Sequence, residues 1–186
     1  MKKLSLLALF VLILPLTALA ENLAPPVNAW GTGRAEIMAL YDADPVRNND
    51  YLTYNITDIL GMEAQIHYGF TKDDELAFVS YGLYAAPAAS TVYIGNYDAV
   101  KQLLKTRYGR PEADNIYWFG DKADRAAERD IGAALIQQAV RFETGWSLPE
   151  AWLELDMKGQ GKEVVINVRY ISNDLGSKFF KGVQNR

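Results

Sequence analysis

The 186-residue chain has no cysteine and a single histidine, His67. The first absence removes disulfides, thiol catalysis, Cys-ligated metal and a lipid-modified cysteine. An exported domain without disulfides has to be held by its core. The second absence leaves a Ser-His-Asp triad or a multi-histidine metal centre without its convergent partners, and zinc would need carboxylates. A Gly-rich phosphate loop is also missing. Gly31-Thr32-Gly33 precedes a helical pattern but lacks the remaining glycines and the lysine. Basic residues are the minority charge, 19 Lys and Arg against 23 Asp and Glu, for a net charge of -4. That balance argues against binding nucleic acid through a basic patch and against docking to anionic lipid head groups. The sequence therefore assigns no catalytic residue, no metal ligand and no cofactor.

Long apolar runs are scarce, and the main one lies at the N-terminus. Lys2 and Lys3 precede the run Leu4 to Leu14, and Ala18-Leu19-Ala20 follows. This is the order of a secretory signal peptide over residues 1–20, with cleavage expected after Ala20. The run is shorter than the roughly 20 residues of a membrane-spanning helix, and Pro15 follows it. Loss of Lys2 and Lys3 leaves 17 basic residues and moves the net charge from -4 to -6. The Met-Lys-Lys start is that of a bacterial precursor, so the expected destination is the periplasm. Asn55-Ile56-Thr57 then reads as strand residues rather than a glycan site.

The mature chain is rich in alternation. Met62, Ala64, Ile66, Tyr68 and Phe70 share one side of a strand; Glu63, Gln65, His67 and Thr71 take the other. Lys72-Asp73-Asp74-Glu75 turns the chain, and 76–84 returns. Before this hairpin lie an extended arm at 21–29 and a short helix from Gly33 to about Tyr41, with Thr32 as its N-cap. A strand at 51–57 follows. Asp42, Asp44, Asn48 and Asp50 are spaced like early ligands of a calcium loop, but the central Gly and closing Glu are missing, so a solvated loop is the better reading. After a small-residue linker at 85–90, residues 91–94 look extended. Asn96 then caps a helix with Tyr97, Val100, Leu103, Leu104 and Tyr108 on one stripe and Gly109 at its end. Ile116 to Phe119 reads as a strand or a buried plug. Residues 121–138 return to helical spacing, with Ala127, Ile131, Ala134, Leu135 and Gln138 on one face. Strands are expected at 139–146, 151–158 and 163–171. The tail, 172–186, carries Phe179-Phe180 between lysines and either docks as a last turn or stays loose.

The two halves repeat. A helix followed by strands at 51–57, 62–71 and 76–84 matches the helix at 97–108 followed, after an insertion, by strands at 139–146, 151–158 and 163–171. The match assigns Ala77, Val79, Tyr81 and Leu83 to the buried side of their strand. The expected fold is one α+β domain over 30–171, with half-repeats at about 30–84 and 96–171. Its antiparallel sheet has about six strands and carries the helices on one face.

The order Trp30-Gly31, short helix, hairpin, and then the helix end Tyr108-Gly109-Arg110-Pro111 resembles uncharacterised exported bacterial proteins. The helix-plus-hairpin doubling is similar to the β-lactamase inhibitor protein fold and to small outer-membrane-assembly lipoproteins. That resemblance covers roughly residues 30–171 and implies protein binding rather than catalysis. The assembly lipoproteins carry a lipidated cysteine, which this chain lacks. No family functional residue is carried over.

If the alternation holds, the open sheet face displays Tyr51, Thr53, His67, Phe78, Ser80, Tyr84, Arg141, Glu143, Trp152, Asn167 and Arg169. Tyr, Trp and Arg dominate protein interfaces. The alternative is that the insertion 109–138 folds over this face. The first functional expectation is a non-enzymatic periplasmic protein that binds an envelope protein through that face, its candidates being Tyr51, His67, Phe78, Tyr84, Arg141, Glu143, Trp152 and Arg169. The second is a carrier of a small apolar ligand between helices and sheet near Tyr117, Trp118 and Phe119. The third is a hydrolase of cell-wall glycan using Glu143 and Glu154, which needs the pair at a set separation. His67 reads as an exposed strand residue or, functionally, as a pH sensor.

Overall fold

The computed structural model describes residues 23, 30–48, 50–85, 90–120 and 130–184. The expected signal peptide at 1–20 lies outside the described residues, as does all of the arm except Leu23 and most of the linker at 85–90. No helix among the described residues is long and apolar enough to cross a membrane.

The architecture is α+β, built on one open antiparallel sheet. Among the described residues it has eight strands rather than about six: β1 (Val46–Arg47), β2 (Tyr51–Ile59), β3 (Met62–Phe70), β4 (Leu76–Ala85), β5 (Ala113–Trp118), β6 (Val140–Ser147), β7 (Ala151–Gln160) and β8 (Glu163–Ser172). Their order across the sheet is β1-β2-β3-β4-β8-β7-β6-β5. The order reads alike from either edge, so each half supplies a run of four strands and the halves meet where β4 pairs with β8. The strands beyond the expected set, β1 and β5, are the two edges. The hairpins are tight. Leu60 and Gly61 join β2 to β3 with φ of 56° and 76°, the double positive-φ turn that matches strand twist.

Among the described residues, four helices accompany the sheet: α1 (Arg34–Met38), α2 (Ser90–Tyr108), α3 (Ile131–Ile136) and α4 (Gly176–Gln184). Ile37 of α1, Tyr93, Tyr97, Val100 and Leu104 of α2, and Ala134 and Leu135 of α3 join one core with Ile66, Tyr68, Val79, Tyr81, Leu155, Ile166 and Tyr170. These strand residues are alternate positions, so α1 to α3 lie on one face. Tyr170 donates to the carbonyl of Leu23 at 2.8 Å, and Leu23 is fully buried, which fixes one point of the N-terminal arm in this core.

Four local expectations change. Thr32 is not a helix cap: its carbonyl accepts from Leu76 N–H at 2.9 Å, so Gly33 takes the N-cap position without a side-chain bond. The second helix begins at Ser90, not after Asn96, because Tyr93 and Tyr97 fall on the same buried stripe at helical spacing. Gln138 leaves the helical face, exposed and at φ 60°, and residues 121–129 lie outside the described residues. The tail docks as α4, and it does so on the face opposite the other helices. Phe179 stacks on Phe78 at 5.5 Å and meets Tyr51 edge-on. The helices therefore do not all share one face.

Candidate interaction face of the sheet

The second face is built by the residues left over from the core alternation. On β6 these are Arg141 and Glu143; on β7, Trp152, Glu154, Asp156 and Lys158; on β8, Asn167, Arg169 and Ile171. Register brings them together: Glu143 opposes Asp156, which opposes Asn167, while Glu154 opposes Arg169. Cross-strand neighbours at these separations interact directly.

Arg169 holds the centre. Its Nη1 donates to Glu154 Oε1 at 2.7 Å, and its Nη2 lies 2.8 Å from both oxygens of Asp156. Asn167 Nδ2 donates to Asp156 Oδ1 at 2.7 Å. Arg141 bridges the outer carboxylates, its Nη2 lying 2.9 Å from Glu143 Oε2 and 2.9 Å from Glu154 Oε1. Its Nε is buried without a hydrogen bond, 3.4 Å from Asp156 Oδ2. Lys158 Nζ approaches the same carboxylate at 3.9 Å. The lattice thus balances Glu143, Glu154 and Asp156 against Arg141, Arg169 and Lys158. Burial raises the Glu154 carboxyl above its ordinary range; Arg169 works against that rise, and the Asp156 and Glu143 charges add to it.

Three glycines on this face are roofed by aromatic rings. A Cβ at Gly69 would sit 2.9 Å from Phe179, one at Gly82 would sit 3.4 Å from Tyr84, and one at Gly145 would sit 2.4 Å from Trp152. Trp152 and Tyr84 therefore lie along the sheet rather than standing up from it. Tyr84 also donates to Gln65 Oε1 at 3.1 Å.

Tyr84 lies over Gly82, and the other seven candidates fall into two groups. Phe78 is buried under α4, with Tyr51 half-buried beside it. His67 is half-buried, its Nδ1 2.9 Å from Thr53 Oγ1, and burial lowers its pKa. Arg141, Glu143 and Arg169 belong to the lattice, with Trp152 at one end of the same face. Asp156, Lys158 and Asn167 complete it. Alternation already placed Asn167 on this face; what it lacked was the register that makes these side chains partners. Of the insertion, 109–120 supplies the edge strand β5, and 130–138 supplies α3 on the helical face. Neither covers the lattice. Tyr117 and Phe119 lie at the outer edge, 42% and 54% exposed, and of that run only Trp118 packs against the core. Asn48 Oδ1 accepts from the N–H groups of Asp50 and Tyr51 at 3.0 and 2.8 Å, which gives the Asn- and Asp-rich loop a turn-forming role. No group of three or more His, Asp or Glu side chains gathers to hold a metal ion among the described residues.

Comparison of the chain with protein-family models, curated proteins and solved structures gives no match.

Proposed function

We propose that the protein is a non-enzymatic binding module of the bacterial cell envelope. It is exported to the periplasm through a signal peptide cleaved after Ala20 and binds an envelope protein with the polar face of β6, β7 and β8. The supporting observation is the asymmetry of that face. Among the described residues, α4 covers its β3–β4 half, while nothing covers the Arg141–Glu143–Glu154–Arg169 lattice with Trp152 at its edge. The lattice orders long side chains before any partner arrives, which lowers the ordering cost of association. Arg and Trp are also the side chains that most often carry interface energy. Arg141 stands between Glu143 and Glu154, which suits recognition better than a water or sugar held between two free carboxylates.

Photo-crosslinking in intact cells tests this reading. A crosslinking residue at Glu143 captures one defined envelope protein, and one at Gln102, exposed on α2, does not. The Trp152→Ala variant reduces that capture while its circular dichroism stays unchanged. Equal capture from both positions, or none from Glu143, counts against the proposal.

A further inference from the structure

The two edges of the sheet are built differently. β1 is only Val46–Arg47, preceded by Pro45, a short and charged edge of the kind that resists pairing. β5 runs over Ala113–Trp118, and it has no proline or lysine to blunt it. Ile116 is 54% exposed on its middle and Tyr117 42%. Long, flat, apolar edges are templates for strand addition.

The direction of the main-chain groups can be read from β6. Phe119 N–H donates to Ala139 C=O at 2.9 Å, one step beyond the Trp118–Val140 pair. Main-chain groups alternate in direction along a strand. Tyr117, Asn115 and Ala113 therefore address β6, and Asp114, Ile116 and Trp118 turn their N–H and C=O groups to the edge, which no other strand among the described residues pairs.

We infer that this edge pairs with a second copy of the chain, β5 against β5, across a two-fold axis through Ile116. An isologous contact needs a self-complementary strand, and this strand is one. In that register Ile116 meets its own copy, and Asp114 meets Trp118. Every outward N–H and C=O of the three residues then finds a partner. Asn115 faces Tyr117 on the polar side. Asp114 does not oppose its own copy; it is already paired to Lys101 Nζ at 2.7 Å. Glu112 falls opposite Gly120, so no like charges face each other. A register moved by two residues leaves outward groups unpaired, and one moved by a single residue would put the apolar side of one copy against the polar side of the other. The pairing joins two sheets into one continuous sheet, and it stands independently of the binding face proposed above. One strand pair is smaller than a standard interface of roughly 1,200–2,000 Å², so the dimer is concentration-dependent.

Sedimentation equilibrium of the purified protein over a concentration series tests the inference. The weight-average mass rises towards twice the monomer value. Ile116→Lys and Ile116→Pro hold it at the monomer value; the proline removes only an outward N–H and leaves the β5–β6 ladder intact. The absence of native cysteine allows a second readout. Opposed residues of a hydrogen-bonded antiparallel pair lie about 5.5 Å apart at Cα, within the roughly 4.4–6.8 Å a disulfide spans. Ile116→Cys therefore forms a covalent dimer under mild oxidation, and Asn115→Cys, which faces Tyr117, does not. A monomer mass throughout the series, a dimer that survives in both Ile116 variants, or equal crosslinking of the two cysteine variants overturns the inference.

Discussion

Arg169 holds both oxygens of Asp156 through a single nitrogen, at 2.8 Å each, and the Asp156 side chain has no exposed surface although it sits on the polar face of the sheet. A carboxylate so placed depends on its partners, because removing one partner of a buried pair leaves an uncompensated charge. Arg169→Met therefore costs about 3–5 kcal/mol in urea-induced unfolding. The double variant Arg169→Met with Asp156→Leu recovers much of that loss, since it removes both charges together. Costs that simply add would show that the pair is not coupled.

The C-terminal helix makes a second case. Phe179 is buried against Phe78 and Tyr51, over Gly69. Lys178 and Lys181 on the same helix are exposed. Phe179→Ala removes the one buried ring that anchors α4, a loss of about 3 kcal/mol that falls on local docking rather than on the main core. Hydrogen exchange then rises across 176–184 while β3 and β4 stay protected, and trypsin cuts first at Lys178 or Lys181. Gly69→Ala has the same effect through crowding. Unchanged exchange in 176–184 would show that other contacts hold the helix.

The contrast between these features and the strands shows what the residue pattern could reveal. Strands β2 to β4 and β6 to β8 were legible because one face is buried, and burial writes a period of two into Ile66, Tyr68 and Phe70 or Val164, Ile166 and Val168. The edges were not. β1 is too short to show a period, and β5 has Ile116, Tyr117 and Trp118 in succession because an edge strand exposes both faces. The start of α2 was hidden because Val92 and Ile94 mimic strand alternation, whereas Tyr93 and Tyr97 set the real stripe. The polar face could be drawn up from alternation alone. Its lattice could not, because the contact of Arg169 with Asp156 depends on a register fixed by the turn at Gly161, where φ is 65°. Nothing local to Phe179 revealed that α4 would choose the polar face.

The tyrosines under the helices give a prediction at high pH. Tyr41 stacks on Tyr54 at 3.8 Å and its hydroxyl lies 2.6 Å from that of Tyr68. Tyr97 reaches Thr144 at 2.7 Å, and Tyr108 reaches Tyr170 at 3.2 Å. Burial, before any other influence, raises the hydroxyls of Tyr68, Tyr81, Tyr97 and Tyr170 above their ordinary value. In the unfolded chain these groups ionise near pH 10. Above about pH 10 the unfolded state therefore holds fewer protons than the folded state, and stability falls as pH rises. Tyrosinate absorbance then jumps cooperatively, with loss of circular dichroism, for the buried set. Tyr68→Phe costs about 1 kcal/mol near neutrality, from the lost hydroxyl pair, and makes the alkaline decline shallower.

His67 carries the corresponding prediction on the acid side. It is the only histidine, and in register it lies between Thr53 on β2 and Ser80 on β4. Burial lowers its pKa from 6.5. The folded state therefore keeps the ring neutral at pH values where the unfolded chain has already bound a proton. Above 6.5 the ring is neutral in both states and costs nothing. As pH falls below 6.5 the unfolded state binds more protons, and stability drops until the folded-state ring also protonates, where the loss levels off. Glu154, whose carboxyl is raised in the fold, works in the opposite direction at lower pH, so the histidine share has to be isolated by difference. Urea midpoints for the wild type and His67→Gln, which keeps a side chain able to bond Thr53, separate the two. The gap between them at pH 7.5 changes by pH 5.5, with the wild type losing more stability than the variant. Parallel lines across that interval would mean that His67 titrates alike in both states and carries no pH response.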